Sequence, residues 1–398
     1  MKKALIGISV FLLAFTAFAC VVLNTPNKIL YLLNWGEYID SSLVKEFEEE
    51  FHCQVIEENV TSSEAMYQKI SGGTTTYDVA IPGDYAISRL QSEDLLRKLD
   101  VNNPSYVHLS GEDSQFDEGL QGLMNEYMVN PDSGESIQDY FKPYFWGAYS
   151  LIYSNNKTGL EAALQENGFS CLYDRALLPE GAKTGMYDTA RWIVASYLLS
   201  QGLDPNLTDR DGSKEGDISS SLQQEIIASV KKAGFSELAN DALKRDVANG
   251  RIDVCFAQLG DYFDGLYLLL NGNSDPSHYR VFVPKVTSAF FDGMVIPSTC
   301  QNYDLANAFI NFMLDESHAY QNARAIGYSP CLKAVKEEFE EEAKRGGEYY
   351  PGLSMEDFLA SYPNYLNPLF GVETCYMFEA KSNDYLTTCE TILNNLSL

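Results

Sequence analysis

The chain has 398 residues, 45% of them hydrophobic, enough for two or three domains with substantial cores. Lys and Arg total 28 against 56 Asp and Glu, a formal net charge of −28. A surface this acidic argues against nucleic acid and anionic lipid as partners, and it is compatible with a cationic ligand.

Lys2 and Lys3 form a basic start, and residues 4–18 are apolar but too short for a comfortable membrane span. Ala17-Phe18-Ala19-Cys20 follows. This stretch resembles a bacterial lipoprotein signal, which implies removal of the leader, acylation of Cys20 and an exported, membrane-anchored protein. Phe18 departs from the small residue usual at its position. An ordinary secretory signal cleaved nearby is the other reading.

Residues 30–39 begin as an apolar run and end in Asn34, Trp35, Glu37 and Tyr38, which reads as a buried strand opening into a loop. In open α/β sheets such loops face ligands. A ring and a carboxylate two residues apart suit a cation with an apolar body. Asp40 or Ser41 caps a helix whose apolar face is Leu43, Val44, Phe47 and Phe51. Residues 54–58 form a second strand. Ser62 or Ser63 caps a helix carrying Met66 and Ile70, ended by Gly72-Gly73. A third strand over 77–82 ends in a loop of Gly83, Asp84 and Tyr85, before a helix with Ile87, Leu90 and Leu95. This alternation makes a parallel α/β lobe.

Residues 101–139 read as loops and short helices, and the aromatic-rich stretch 143–154 as a strand crossing into a second lobe. The spacing predicts an apolar helix over 187–200, a charged loop over 206–216 and two helices over 221–248. A strand over 252–257 opens into Gln258, Gly260 and Asp261. Strands at 279–284 and 294–297 flank a loop with Phe290, Phe291 and Asp292. Helices follow at 303–314 and 319–325, then a break at Gly327-Tyr328-Ser329-Pro330, a charged helix over 333–346 and a closing helix over 385–393.

The other seven Cys, at 53, 171, 255, 300, 331, 375 and 389, form no CxxC pair and no metal-like cluster with the four scattered His. No metal or cofactor is expected. Export permits disulfides, but sequence does not give a pairing.

Six segments, in order, resemble the bacterial periplasmic spermidine/putrescine-binding proteins, the receptors of polyamine ABC importers. They are Leu32-Leu-Asn-Trp-Gly-Glu-Tyr38, Tyr77-Asp-Val-Ala-Ile-Pro-Gly-Asp-Tyr85, Pro143-Tyr-Phe-Trp-Gly147, Asp188-Thr-Ala-Arg191, Phe291-Asp292 with Val295-Ile-Pro297, and Ile310-Asn-Phe-Met-Leu314 with Ala325-Ile-Gly-Tyr-Ser-Pro330. The resemblance implies an α/β fold of the two-lobed periplasmic binding protein class (type II), with a ligand cleft between lobes. The first lobe is then discontinuous, residues 28–143 plus 288–330. The second holds 144–287 plus 331–398, after a signal over 1–20. The implied function is binding of spermidine or putrescine for a membrane permease, by a monomer with no enzymatic activity.

The same resemblance carries Trp35, Glu37, Tyr38, Tyr85 and Asp292 into the ligand site, with Phe290 as an aromatic wall and Tyr328 near the cleft. A polyamine requires carboxylates spaced along aromatic walls. The chain departs from the family where two acids become Thr189 and Trp192, with Asp188 one position off. It departs again where a Trp becomes Gln258 and a Ser becomes Gly83. Asp261 and Asp84 are candidate replacements. No nucleophile elbow, HExxH, Walker loop or dinucleotide fingerprint occurs, which argues against an enzyme. The rival readings are the same receptor fold with another solute, or a surface lipoprotein acting as an interaction protein.

Overall fold

The computed structural model describes residues 28–110, 115–130, 133–240 and 242–396. The signal segment, including Cys20, lies outside them. A single sheet runs through the molecule in the order β2-β1-β3-β10-β5-β8-β6-β7. Its strands are β1 (Lys28–Trp35), β2 (Cys53–Val60), β3 (Val79–Ala80), β4 (Leu96–Arg97), β5 (Phe141–Ser154), β6 (Thr184–Tyr187), β7 (Glu237–Ala239), β8 (Val254–Gln258), β9 (Tyr279–Phe282) and β10 (Val286–Pro297), with Ser329–Pro330 paired to β5 and Thr374–Met377 paired to β10. At one end β2, β1 and β3 are parallel, and at the other β8, β6 and β7 are parallel. Between them β10 and β5 run antiparallel to each other and to the strands they join. Two parallel α/β lobes therefore share one pair of crossing strands.

The crossing strands owe their path to composition. All 14 residues of β5 are buried, a run dense in aromatic and apolar residues, with Lys142, Ser150 and Ser154 its polar members, as a strand covered on both faces requires. In β1 the same logic places Leu30, Leu32 and Leu33 fully inside. Helices cover the faces. The helix Ser41–Phe51 is capped by Asp40, whose carboxylate accepts from the Ser42 backbone N–H, and it buries Leu43 and Phe47. The helix Ser63–Ser71 is capped by Ser62 and buries Met66 and Ile70. Both match the sequence pattern.

Four expectations change. Asp84 and Tyr85 are not in a loop but open the helix Asp84–Ser92, with Gly83 as its cap and Leu95 beyond its end. Tyr187 ends β6, and the apolar helix begins at Ala190, because its neighbour β7 supplies strand partners that the local pattern hides. That strand also separates the helices Ser220–Ala233 and Ala242–Ala248. Phe290, Phe291 and Asp292 are not a loop between two strands but the middle of β10, where the register shifts between Asp292 and Gly293. The shift is a β-bulge, which bends the strand and re-aims a side chain.

Candidate functional site

The first-lobe side is built on the ends of β1 and β3 and the bulge of β10. Glu37 adopts left-handed backbone (φ 56°), which turns its own carboxylate outward and lays Tyr38 inward. Tyr38 packs edge-on against Tyr144, Phe145 and Tyr328, with ring centroids 5.6, 5.4 and 5.1 Å away. Its carbonyl accepts from the Tyr144 hydroxyl at 2.8 Å. Its own hydroxyl donates to Asp292 Oδ2 at 2.7 Å. Among the described residues no Lys, Arg or His lies in ion-pair contact with Asp292, which is 9% exposed. Burial pushes its carboxyl up to about 7, against the lowering effect of the Tyr38 hydrogen bond. Asp84, next to Gly83, which forms an antiparallel bridge with Asp292, is 2% exposed and accepts from the backbone N–H groups of Phe291 at 3.1 Å and Tyr85 at 2.6 Å. Burial pushes it up to about 7 as well, with Asp292 adding to the rise and Arg191 opposing it. The Trp35 indole N–H donates to the Ile81 carbonyl at 2.8 Å, tying the two strand ends together.

The second-lobe side is built on the ends of β6 and β8. Asp261 accepts four donors: the Gln258 backbone N–H at 3.0 Å, the Tyr328 hydroxyl at 3.2 Å, Lys244 Nζ at 3.1 Å and the Tyr187 hydroxyl. Lys244 also reaches Asp264 at 2.7 Å. Tyr328 donates to the Gln258 side-chain carbonyl at 3.3 Å as well. Below this network lie stacked rings. Tyr149 meets Phe256, Phe378 and Phe290 at 5.3, 5.2 and 5.5 Å, and Trp192 stands edge-on to Tyr187 at 4.7 Å. Phe290 lies across Gly147, where a Cβ would come within 2.8 Å of the ring.

The two parallel ends of the sheet, each presenting strand ends to a shared seam, place charged and aromatic groups where open α/β folds bind solutes. The family model of bacterial extracellular solute-binding proteins matches residues 42–348. The chain belongs to that family. Its members are solute-binding receptors of ABC transporters, not enzymes. The receptor is 26% identical to spermidine/putrescine-binding periplasmic protein 1 of Haemophilus influenzae, covering 83% of this chain and 82% of that one. It is 24% identical to the putrescine-binding periplasmic protein PotF of Escherichia coli, over 85% and 87%. Among solved structures it resembles the spermidine/putrescine ABC transporter substrate-binding protein PotD of Streptococcus pneumoniae, with TM-score 0.67, 26% identity and coverage of 93% and 99%. A putative spermidine/putrescine ABC transporter from Listeria monocytogenes gives TM-score 0.67 at 25% identity, also over 93% and 99%. The two-lobed fold read from the sequence is thus the receptor's fold.

The seam of the receptor brings together Tyr38, Asp84, Tyr85, Phe290, Asp292, Gln258, Asp261 and Tyr328, while Trp35 is placed only by its bond to the Ile81 carbonyl. Glu37 stands apart, its side chain 87% exposed and 3.9 Å from Arg245 of the opposite lobe. Tyr85 lies under the Arg191 guanidinium at 4.3 Å, and its hydroxyl donates to Glu64 at 3.3 Å. The Thr189 hydroxyl donates to the Asn240 side chain at 3.1 Å, and Asp188 is exposed. Trp146 is core, its indole N–H donating to the Pro330 carbonyl at 3.2 Å. The sequence reading missed Lys244, Arg245, Tyr187 and Tyr149. No local pattern marks the two cations, which reach the seam only because a short helix is packed beside β8. Among the described residues no helix is long and apolar enough to cross a membrane, and all seven described cysteines are unpaired.

Proposed function

We propose that the chain is the substrate-binding protein of an ABC importer and takes a polyamine, spermidine or putrescine, in the cleft between its lobes. The observation that carries this reading is Asp292: a buried carboxylate inside a cage of rings, with a tyrosine hydroxyl and no cationic partner among the described residues. Burying such a charge is unfavourable until a cation meets it. An ammonium supplies that cation, and Tyr38, Phe290 and Tyr328 supply walls for the methylene chain. Trp35, Tyr85 and Asp84 complete the first-lobe side in this reading. Thr189, Trp192, Gln258, Glu37 and Asp261 set the far end and thereby the preferred amine. The first lobe comprises residues 28–143 plus 288–330, and the second 144–287 plus 331–398. The names of the curated relatives support the ligand class. The receptor works as a monomer, held at the membrane through a lipid on Cys20, and delivers its ligand to a membrane permease. Calorimetric titration of the mature chain, first stripped of carried-over ligand, tests the reading. One-to-one binding of spermidine or putrescine at micromolar affinity or better is expected. A folded sample giving no heat with either would sink it.

A further inference from the structure

The carboxylates along the seam are not equivalent. Asp261 has its acceptor sites filled, since a carboxylate offers about four lone-pair positions and four donors occupy them. One donor is an ammonium, Lys244 Nζ, whose side chain is 9% exposed against 7% for Asp261. The same ammonium neutralises Asp264 at 2.7 Å. Glu37 faces Arg245. Asp84 lies in the field of Arg191, which stacks on the neighbouring Tyr85 ring at 4.3 Å. Asp292 alone of this set has, among the described residues, no ion pair and only the Tyr38 hydroxyl as a side-chain donor.

We infer that Lys244 stands in for one of the ligand's ammonium groups, so that the receptor reads charge on a single primary ammonium, held at Asp292. The inference rests on the amine-receptor reading above. It follows from the geometry of a buried lysine whose Nζ sits between two carboxylates, beside the tyrosine that joins both sides of the seam. Tyr328 donates to Asp261, and its ring meets Tyr38, whose hydroxyl holds Asp292. A ligand lying along this path with an ammonium at Asp292 brings its far end towards Lys244. A second ammonium there meets a like charge and a carboxylate already saturated, so it gains nothing over a methyl group. The ligand class is a primary amine with one recognised charge and an apolar body. A polyamine binds as a member of that class, by one end.

Calorimetry of the mature receptor with putrescine and with n-butylamine tests this, on the native chain and on Lys244→Ala. In the native receptor the two affinities are expected to agree within about fivefold, because only one ammonium is read. Lys244→Ala frees Asp261 and is expected to favour putrescine by about tenfold or more. A native preference for putrescine above about thirtyfold overturns the inference. So does a folded Lys244→Ala variant whose preference is unchanged. The native ratio involves no substitution, so a variant that fails to fold leaves it decisive. If the native receptor binds neither amine, the amine-receptor reading itself fails, an outcome distinct from a high ratio.

Discussion

Asp292 and Asp261 stand at the two ends of the Tyr38–Tyr328 contact and are chemically identical, yet their surroundings are opposite. Asp292 is buried with one hydroxyl donor and a carboxyl pushed up to about 7. Asp261 is buried as deeply, with a lysine, two tyrosines and a backbone N–H. One is a carboxylate whose surroundings leave its charge to be met from outside, and the other belongs to a completed ion-pair network. A net charge of −28 describes neither, because buried electrostatics are decided by the first few ångströms.

The contrast is sharpest under the same substitution on both sides. Asp261→Asn removes a buried carboxylate partner of Lys244 and is expected to destabilise the receptor by about 3–5 kcal/mol, read as a lower denaturation midpoint. Asp292→Asn is expected to do the reverse to stability. It removes an uncompensated buried charge and should stabilise the ligand-free protein at pH 8, while weakening amine binding by about 2–5 kcal/mol. Equal destabilisation by both would erase the distinction. A smaller effect comes from pH. The folded Asp292 carboxyl titrates near 7 against an ordinary value of 3.8, so the folded state binds more protons in between. Its contribution to stability is therefore fully present below about pH 4, is lost as pH rises through about 7, and is flat above. Subtracting the Asp292→Asn profile from the native one isolates that slope, and a difference rising with pH would refute it. The smallest effect belongs to Glu37. Its exposed pairing with Arg245 at 3.9 Å is worth less than about 1 kcal/mol, so Glu37→Gln should shift amine affinity by less than about fivefold and only at low salt.

What was legible in the sequence tracks how local each signal is. The caps at Asp40 and Ser62 and the helical faces Leu43/Phe47 and Met66/Ile70 are fixed within one or two turns, and they read correctly. β5, read over 143–154 and found over Phe141–Ser154, was legible too, because a strand buried on both faces announces itself by its density of aromatic and apolar residues. β7 did not, since Glu237–Ala239 is too short to show a period and exists only as the partner of β6. The bulge in β10 was read as a loop because the register shift at Asp292 leaves no mark on composition. Asp261 shows the limit most clearly. Its position at a strand end was visible, and so was its candidacy as a replacement acid. Its partner Lys244 comes from a separate helix, and only tertiary packing brings a cation from that helix to the acid.

The bond between Tyr38 and Asp292 joins residues 254 positions apart, and β3 finds its neighbour β10 only through Val295 and Ala80. As the chain is made, the first lobe has its parallel strands early but lacks the strand that closes its sheet. Until β10 arrives, the edge of β3 has no partner in the sheet and is open to mispairing. β6, β7 and β8 lie within residues 184–258 and meet across much shorter loops, a lower entropic barrier to assembly. The first lobe's sheet is thus closed only after the second lobe's β6, β7 and β8 have been made. Asp292, the carboxylate proposed to meet the ligand, lies on that late strand.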